Sequence, residues 1–353
     1  MRSLTILNVM LGKGLGGIEQ SFVDYLNAFD NLHHKSLGII SRGARIKSKI
    51  SSHIKIKRIF NFGEWDIFAS MRLKKIISKM CPDVIIVHGR RSSKLVNHIS
   101  QKIPVVGVTH NYSLDHLLDL DYVFATTQDL KNNLVKLGYD EKKIFRIPNM
   151  INSDLIKLKA APTQIKFQNP PVIGVAGRFV KKKGFDLFIK SLSILKDEDI
   201  KFHAIIAGIG EEKSNLKQLV KTMDLRNFVS FPGWIADKKK FFSSIDIFCL
   251  PSTHEPFGIV LLEALCYNKP TVSFRSEGPN EIGTDNKDIL FAELGNERDL
   301  AEKLKMLLKN KTLTRKLTKA GNTLVKKKYS LTVVQNSLNN CVKQIHSNTV
   351  AEV

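Results

Sequence analysis

Short apolar runs rich in Val, Ile and Phe recur along this chain, separated by longer segments of helical period. They occur at Leu4–Val9, Leu37–Ile40, Val84–Val87, Val105–Val108 and Tyr122–Ala125. Continuous apolar runs of strand length fit strands buried on both faces of a parallel sheet, and the alternation with helical segments predicts βαβ units. The pattern restarts after Ala160-Ala-Pro162 and Asn169-Pro-Pro171, with strands expected at Val172–Ala176, His203–Ala207, Ile245–Leu250 and Thr271–Phe274. Helical spacing marks Phe68–Met80, Phe185–Leu195, Leu216–Met223, Phe257–Leu265 and a last segment around Val333–Ile345. The prediction is an α/β protein of two Rossmann-like, doubly wound parallel-sheet domains, 1–163 and 164–330, with a C-terminal helix in 331–353.

Length agrees, since 353 residues exceed what one core usually organises, and 43% hydrophobic residues suffice for two. The four cysteines lie far apart with no C-x-x-C pair, which predicts reduced thiols and neither a disulfide framework nor a zinc ribbon. No run approaches the ~20 apolar residues of a spanning helix. The formal net charge is +22, and residues 42–102 hold fifteen Lys and Arg against Glu64, Asp66 and Asp83 alone, so twelve of those charges are local. A solvated face, nucleic acid, anionic lipid and a phosphorylated acceptor all fit such a field. Nucleic-acid binding finds no motif and no aromatic-basic interleaving to support it.

In open parallel sheets ligands lie outside the carboxyl ends of strands, so the loops after Val9, Ala176, Ala207 and Leu250 are the places to search. The first reads Gly12-Lys-Gly14-Leu-Gly16-Gly17 before a helical segment, a literal G-x-G-x-x-G. The acid expected after the second strand is missing, because Ser41 and Arg42 follow Ile40. An NADP-dependent oxidoreductase through Arg42 and a plain flexible turn both stay open here. The second loop, Gly177-Arg178-Phe-Val-Lys-Lys-Lys183-Gly184, carries a planar guanidinium and a lysine at a helix start, which suits a diphosphate. Gly208, Gly210, Trp234 and Ile235 supply material for a nucleoside pocket, or ordinary turns.

The fourth loop holds the most informative stretch, Glu255-Pro-Phe257-Gly258-Ile259-Val260-Leu-Leu-Glu263. One carboxylate falls before the helix and the other about two turns in. The amides of Gly258, Ile259 and Val260 suit a phosphate, while Glu263 suits a ribose diol and Glu255 sugar hydroxyls. Glu263 is flanked by Leu261, Leu262, Ala264 and Leu265, so it needs a ligand or a buried partner: an unpaired buried carboxylate costs several kcal/mol.

Taken together, Gly16-Gly17-Ile-Glu19, Asp83-Val-Ile-Ile-Val-His88, Pro104 through His110, Ile147-Pro-Asn149, Gly177-Arg178 with Lys183-Gly184, and Glu255 through Glu263 span nearly the whole chain. The combination resembles the retaining, nucleotide-sugar-dependent glycosyltransferases of family 4 (group 1), typified by bacterial lipopolysaccharide and mannosyl transferases. The resemblance implies a GT-B fold, two domains facing across a cleft, with the last helix crossing back to the first. It implies a UDP- or GDP-sugar donor and a glycan or lipid-linked acceptor, with no metal or other cofactor. It places Arg178 and Lys183 on the diphosphate, Glu255 on the sugar, Glu263 on the ribose and His110 near the reacting centre. Gly16, Gly17, Gly208, Gly210, Trp234, Ile235, Phe257, Gly258, Ile259 and Val260 complete the donor site. A cytoplasmic enzyme, peripheral on the inner face of the cytoplasmic membrane through the basic stretch, is the corresponding location.

Two residues depart from the family pattern: Met150 replaces a turn glycine, and Asn152 stands where Asp is common. The literal D-x-D at Asp119–Asp121 precedes a strand instead of leaving one and is taken as chance.

Overall fold

The computed structural model describes residues 3–99, 102–152 and 166–351. The chain divides into two compact units, Met1–Asn152 with Tyr329–Val353, and Ser153–Lys328. The division expected at residue 163 lies outside the described residues.

The first unit is a seven-stranded parallel sheet in the order β3-β2-β1-β4-β5-β6-β7. Its strands are β1 (Thr5–Met10), β2 (Lys35–Ser41), β3 (Ile56–Ile59), β4 (Val84–His88), β5 (Val105–Val108), β6 (Tyr122–Ala125) and β7 (Ile144–Arg146). Side chains alternate across the pleat, so one strand feeds two cores. Ile85 and Val87 pack with Leu73, Ile77 and Leu95 on one face. Val84 and Ile86 pack with Tyr25, Phe29, Leu338 and Val342 on the other. That second face is covered by α1 (Gly17–Asn31) and by the C-terminal helix, Leu331–Ala351. The returning chain is tied in by Ile151, whose amide donates to the Tyr329 carbonyl (2.8 Å) and whose carbonyl accepts from Leu331 (2.8 Å). Met150 is buried in the same core, which explains an apolar side chain where family members turn on glycine.

The apolar face expected for Phe68–Met80 belongs to α2 (Ile67–Met80), whose Ala69, Leu73, Ile76 and Ile77 are buried. That face therefore packs on the sheet. Asp121 accepts the Val105 amide (2.8 Å) and Asp119 pairs with Lys94 (3.4 Å), so both acids of the D-x-D have structural partners.

The second unit is a six-stranded parallel sheet in the order β10-β9-β8-β11-β12-β13. Its strands are β8 (Val172–Ala176), β9 (His203–Ala207), β10 (Val229–Gly233), β11 (Ile247–Leu250), β12 (Thr271–Phe274) and β13 (Leu290–Ala292). Ile173, Val175, Val272 and Phe274 pack with Phe188, Ile189, Leu192 and Leu304 in its core. Strand order reverses between β8 and β11. In a doubly wound sheet that switch point opens a crevice at the strand exits, and here the exits are Gly177-Arg178 and Pro251–Glu255.

Candidate functional site

Around the β8/β11 switch point the chain brings three loops together by backbone contact. Gly208, after β9, lies at φ +149 so close to the Gly177 carbonyl that no Cβ fits between them. The Phe179 amide donates to the Ile209 carbonyl (2.9 Å), and the Glu212 amide to the Phe179 carbonyl (3.1 Å). Gly208 and Gly210 thus serve as close-packing positions that hold Arg178 in place. Arg178 is exposed, and its guanidinium has no ion-pair partner among the described residues. Lys181 and Lys182 are exposed as well.

Lys183 behaves differently. Its ammonium pairs with Oε2 of buried Glu255, and Ser252 Oγ donates to the same oxygen (3.3 Å). The Lys182 carbonyl accepts the Thr253 amide (3.0 Å), which fastens the β8 loop to the β11 loop. From the other side the Glu255 amide donates to Glu277 Oε2 (3.0 Å), while His254 Nδ1 lies 2.6 Å from Glu277 Oε1. Burial pushes the Glu277 carboxyl up, but bonds from its own amide, the Glu255 amide and His254 outweigh that and hold it below the usual carboxylate range.

Gly258, at φ +98, caps the helix Ile259–Cys266 without any side-chain acceptor, so the dipole-positive end of that helix is open to an anion. Phe257 is buried, and its backbone lies so close to Gly278 that no Cβ fits at that glycine. Glu263 is 4% exposed, and its Oε1 pairs with the Lys238 ammonium. Lys238 opens the short helix Lys238–Ser243, which Asp237 caps by accepting the Lys240 amide (3.0 Å). The buried partner demanded by Glu263 is therefore a lysine. Trp234, half exposed, and Ile235 follow the end of β10. In charge terms, Glu255 and Glu263 are each matched by a lysine, while Arg178 and the Gly258 helix end are not compensated by an acid among the described residues. Such a site attracts a diphosphate and presents carboxylate oxygens to hydroxyls.

Lys238, Ser252, His254 and Glu277 were missed in the sequence. Lys238 sits in a Lys238–Lys240 run that reads as solvated charge. Glu277 follows a strand exit at Phe274, which is the signal that finds it.

In the first unit, His88 ends β4 and His110 follows β5. His88 Nδ1 and His110 Nε2 are 3.2 Å apart, with rings stacked at 5.3 Å. Loss of solvation pushes His110 down to about 3, helped by repulsion from His116. Burial, then repulsion from His110, pushes His88 well down too, so both imidazoles are neutral. Gly16 and Gly17 open α1. The Gly16 amide donates to Glu19 Oε2 (2.8 Å), and Oε1 of Glu19 stands 3.1 and 2.7 Å from where Cβ atoms on Gly12 and Gly14 would be. A carboxylate thus fills the cradle that G-x-G-x-x-G would offer a pyrophosphate. The NADP-dependent oxidoreductase reading fails on that repulsion. Among the described residues, no cluster of His, Cys, Asp or Glu is arranged to hold a metal ion.

Two doubly wound parallel-sheet units in one chain make the GT-B architecture, and the second unit carries a cationic strand-exit site in which two buried glutamates are each paired with a lysine. "Glycosyl transferases group 1" matches residues 159–323, and "Glycosyltransferase Family 4" matches residues 15–155. The lipopolysaccharide core biosynthesis glycosyltransferase LpsE of Rhizobium meliloti is 28% identical over 318 residues, covering 88% of this chain and 91% of LpsE. LpsD of the same organism, also a lipopolysaccharide core glycosyltransferase, is 26% identical, covering 89% and 91%. Anabaena HepE, solved with UDP and glucose, superposes with a TM-score of 0.83 at 18% identity over 97% of this chain and all of HepE. The chain belongs to the family 4 glycosyltransferases.

Proposed function

We propose that this enzyme transfers a sugar from a UDP- or GDP-sugar to a glycan or glycolipid acceptor, with retention at the anomeric carbon, in lipopolysaccharide or other cell-surface polysaccharide synthesis. The observation that carries this reading is the switch-point arrangement: Arg178 exposed and without an ion-pair partner among the described residues, Lys183 on Glu255, and an open helix end at Gly258 within one strand-exit site. The two lipopolysaccharide core relatives support the pathway, and the nucleotide in the HepE structure supports the donor class.

On this reading Arg178, Lys183 and the first amides of the Ile259–Cys266 helix take up charge as the diphosphate leaves. Preorganised positive charge of this kind is the largest single source of rate in such displacements. Glu255 accepts from sugar hydroxyls with its position set by Ser252 and Glu277, and Glu263 accepts from the ribose. Neutral His110 contributes a hydrogen bond near the reacting sugar, and no metal takes part. The enzyme works in the cytoplasm, on the inner face of the membrane.

Calorimetric titration with UDP and GDP, followed by hydrolysis assays on a panel of nucleotide sugars, tests the donor assignment. NMR of the product's anomeric proton tests retention. Failure to bind either nucleotide overturns the reading.

A further inference from the structure

His88 is held more rigidly than His110, the residue placed near the reacting sugar. It ends β4 in the interior of the seven-stranded sheet, in register with Met10 of β1 and Val108 of β5. Its ring is 1% exposed and stands perpendicular to the rings of Phe22 (5.7 Å) and Tyr25 (5.1 Å), both on α1. His110 lies past the end of β5 and is only partly buried. Among the described residues, the hydrogen bond that fixes its ring is the 3.2 Å contact of its Nε2 with His88 Nδ1, and none reaches its Nδ1.

Loss of solvation keeps both rings neutral, so each carries one proton on one of its two nitrogens. Two lone pairs facing each other across 3.2 Å would repel, as would two N–H groups, so a single proton lies between His88 Nδ1 and His110 Nε2. Two arrangements meet that condition. If His110 owns the shared proton, His88 must carry its own on Nε2, an atom that is buried and has no hydrogen-bond partner. The neighbouring Tyr25 does not accept it, because the Tyr25 hydroxyl is itself buried and unpartnered. If His88 owns the shared proton, only a lone pair is left at Nε2. An N–H buried without an acceptor is a rarer defect than an unused lone pair.

We propose that His88 is a positioning residue that locks His110 in the Nδ1–H tautomer, so that His110 meets the sugar as a neutral hydrogen-bond donor and not as a base. What His110 faces rests on the sugar-transfer reading, whereas its tautomer is set within the first unit alone. An N–H at Nδ1 suits a hydroxyl oxygen or an oxygen gaining negative charge. The opposite tautomer would present a lone pair able to take the proton of an incoming hydroxyl.

Proton–nitrogen correlation spectra of the imidazoles, recorded at neutral pH on the full-length enzyme with isotopically labelled histidines, test the assignment. The chain has ten histidines, and the ring signals lost in His110→Gln identify those of His110. A protonated Nδ1 with a bare Nε2 is expected. A protonated Nε2, or protons on both nitrogens, would overturn the proposal. His88→Asn keeps an N–H near the place of Nδ1 and should preserve the His110 tautomer. His88→Phe fills the space without a donor and should move the tautomer ratio about tenfold toward Nε2–H, the worth of one hydrogen bond. An unchanged ratio in His88→Phe would show that His88 does not set it. Titration of the same preparation with UDP and GDP reports on the donor site of the second unit. Nucleotide binding with the wrong tautomer would therefore sink this inference alone, and the expected tautomer without nucleotide binding would sink the sugar-transfer reading alone.

Discussion

Lys238 places its ammonium on Oε1 of Glu263, a carboxylate with 4% of its surface exposed in the middle of an otherwise apolar helix. The pair lets a helix of Leu261, Leu262, Ala264 and Leu265 carry a charge at the switch point. Removing one member of a fully buried pair costs about 3–5 kcal/mol. The Lys238 side chain is 37% exposed, so Lys238→Met is expected to cost about 1–2 kcal/mol in urea unfolding. Adding Glu263→Gln should recover most of that stability. Nucleotide affinity should stay low in the double variant, and recovery of normal affinity there would show that Glu263 does not hold the ribose.

Arg178 and Lys183 differ in what they are bonded to, so their variants should separate. Arg178→Ala removes an exposed guanidinium without a described partner and should leave thermal stability unchanged. It should weaken UDP or GDP binding about tenfold to a hundredfold, the value of charge-assisted bonds to phosphate. Lys183→Ala strands the Glu255 carboxylate and should lower the melting temperature as well. The two together should nearly abolish transfer, and a double variant with near-normal activity would remove the phosphate-clamp assignment.

Gly208→Ala tests the packing that holds the Arg178 loop. Its Cβ would run into the Gly177 carbonyl oxygen, and a backbone atom has little room to yield. A loss of about 2 kcal/mol or more is expected, with weaker nucleotide binding because Arg178 moves with Gly177. An unchanged urea midpoint would contradict the close approach.

Which strands were legible follows from their place in the sheets. The nine interior strands appear as apolar runs because both faces are buried. The four unread strands, Ile56–Ile59, Ile144–Arg146, Val229–Gly233 and Leu290–Ala292, are the edges of the two sheets. Edge strands are short and partly wetted, as Lys57 and Arg58 show, and an edge tolerates Pro232 because an amide facing outward needs no strand partner. The site divided along a similar line. Arg178, Lys183, Glu255 and Glu263 stood in contiguous motifs beside strand exits. Their partners Lys238 and Glu277 lie 25 and 22 residues from the carboxylate or loop they brace, and only tertiary folding joins them.

The first unit offers a test by pH. His88, His110 and His116 all have pKa values pushed below 6.5, by burial in each case, and for His110 down to about 3. A depressed histidine pKa means that the unfolded chain takes up protons the folded unit refuses. Stability is therefore full above about pH 6.5 and is lost as pH falls from there toward the folded values. Between pH 6.5 and 5 each such histidine contributes up to about 1.4 kcal/mol per pH unit. The carboxyls held low, Asp66, Asp115 and Glu277, titrate beneath that window. Urea midpoints at several pH values should slope across it, and His110→Gln should flatten the slope by one group's share. A midpoint independent of pH over that window would mean that the imidazoles of His88 and His110 are solvated, and that the neutral His88–His110 pair does not exist in solution.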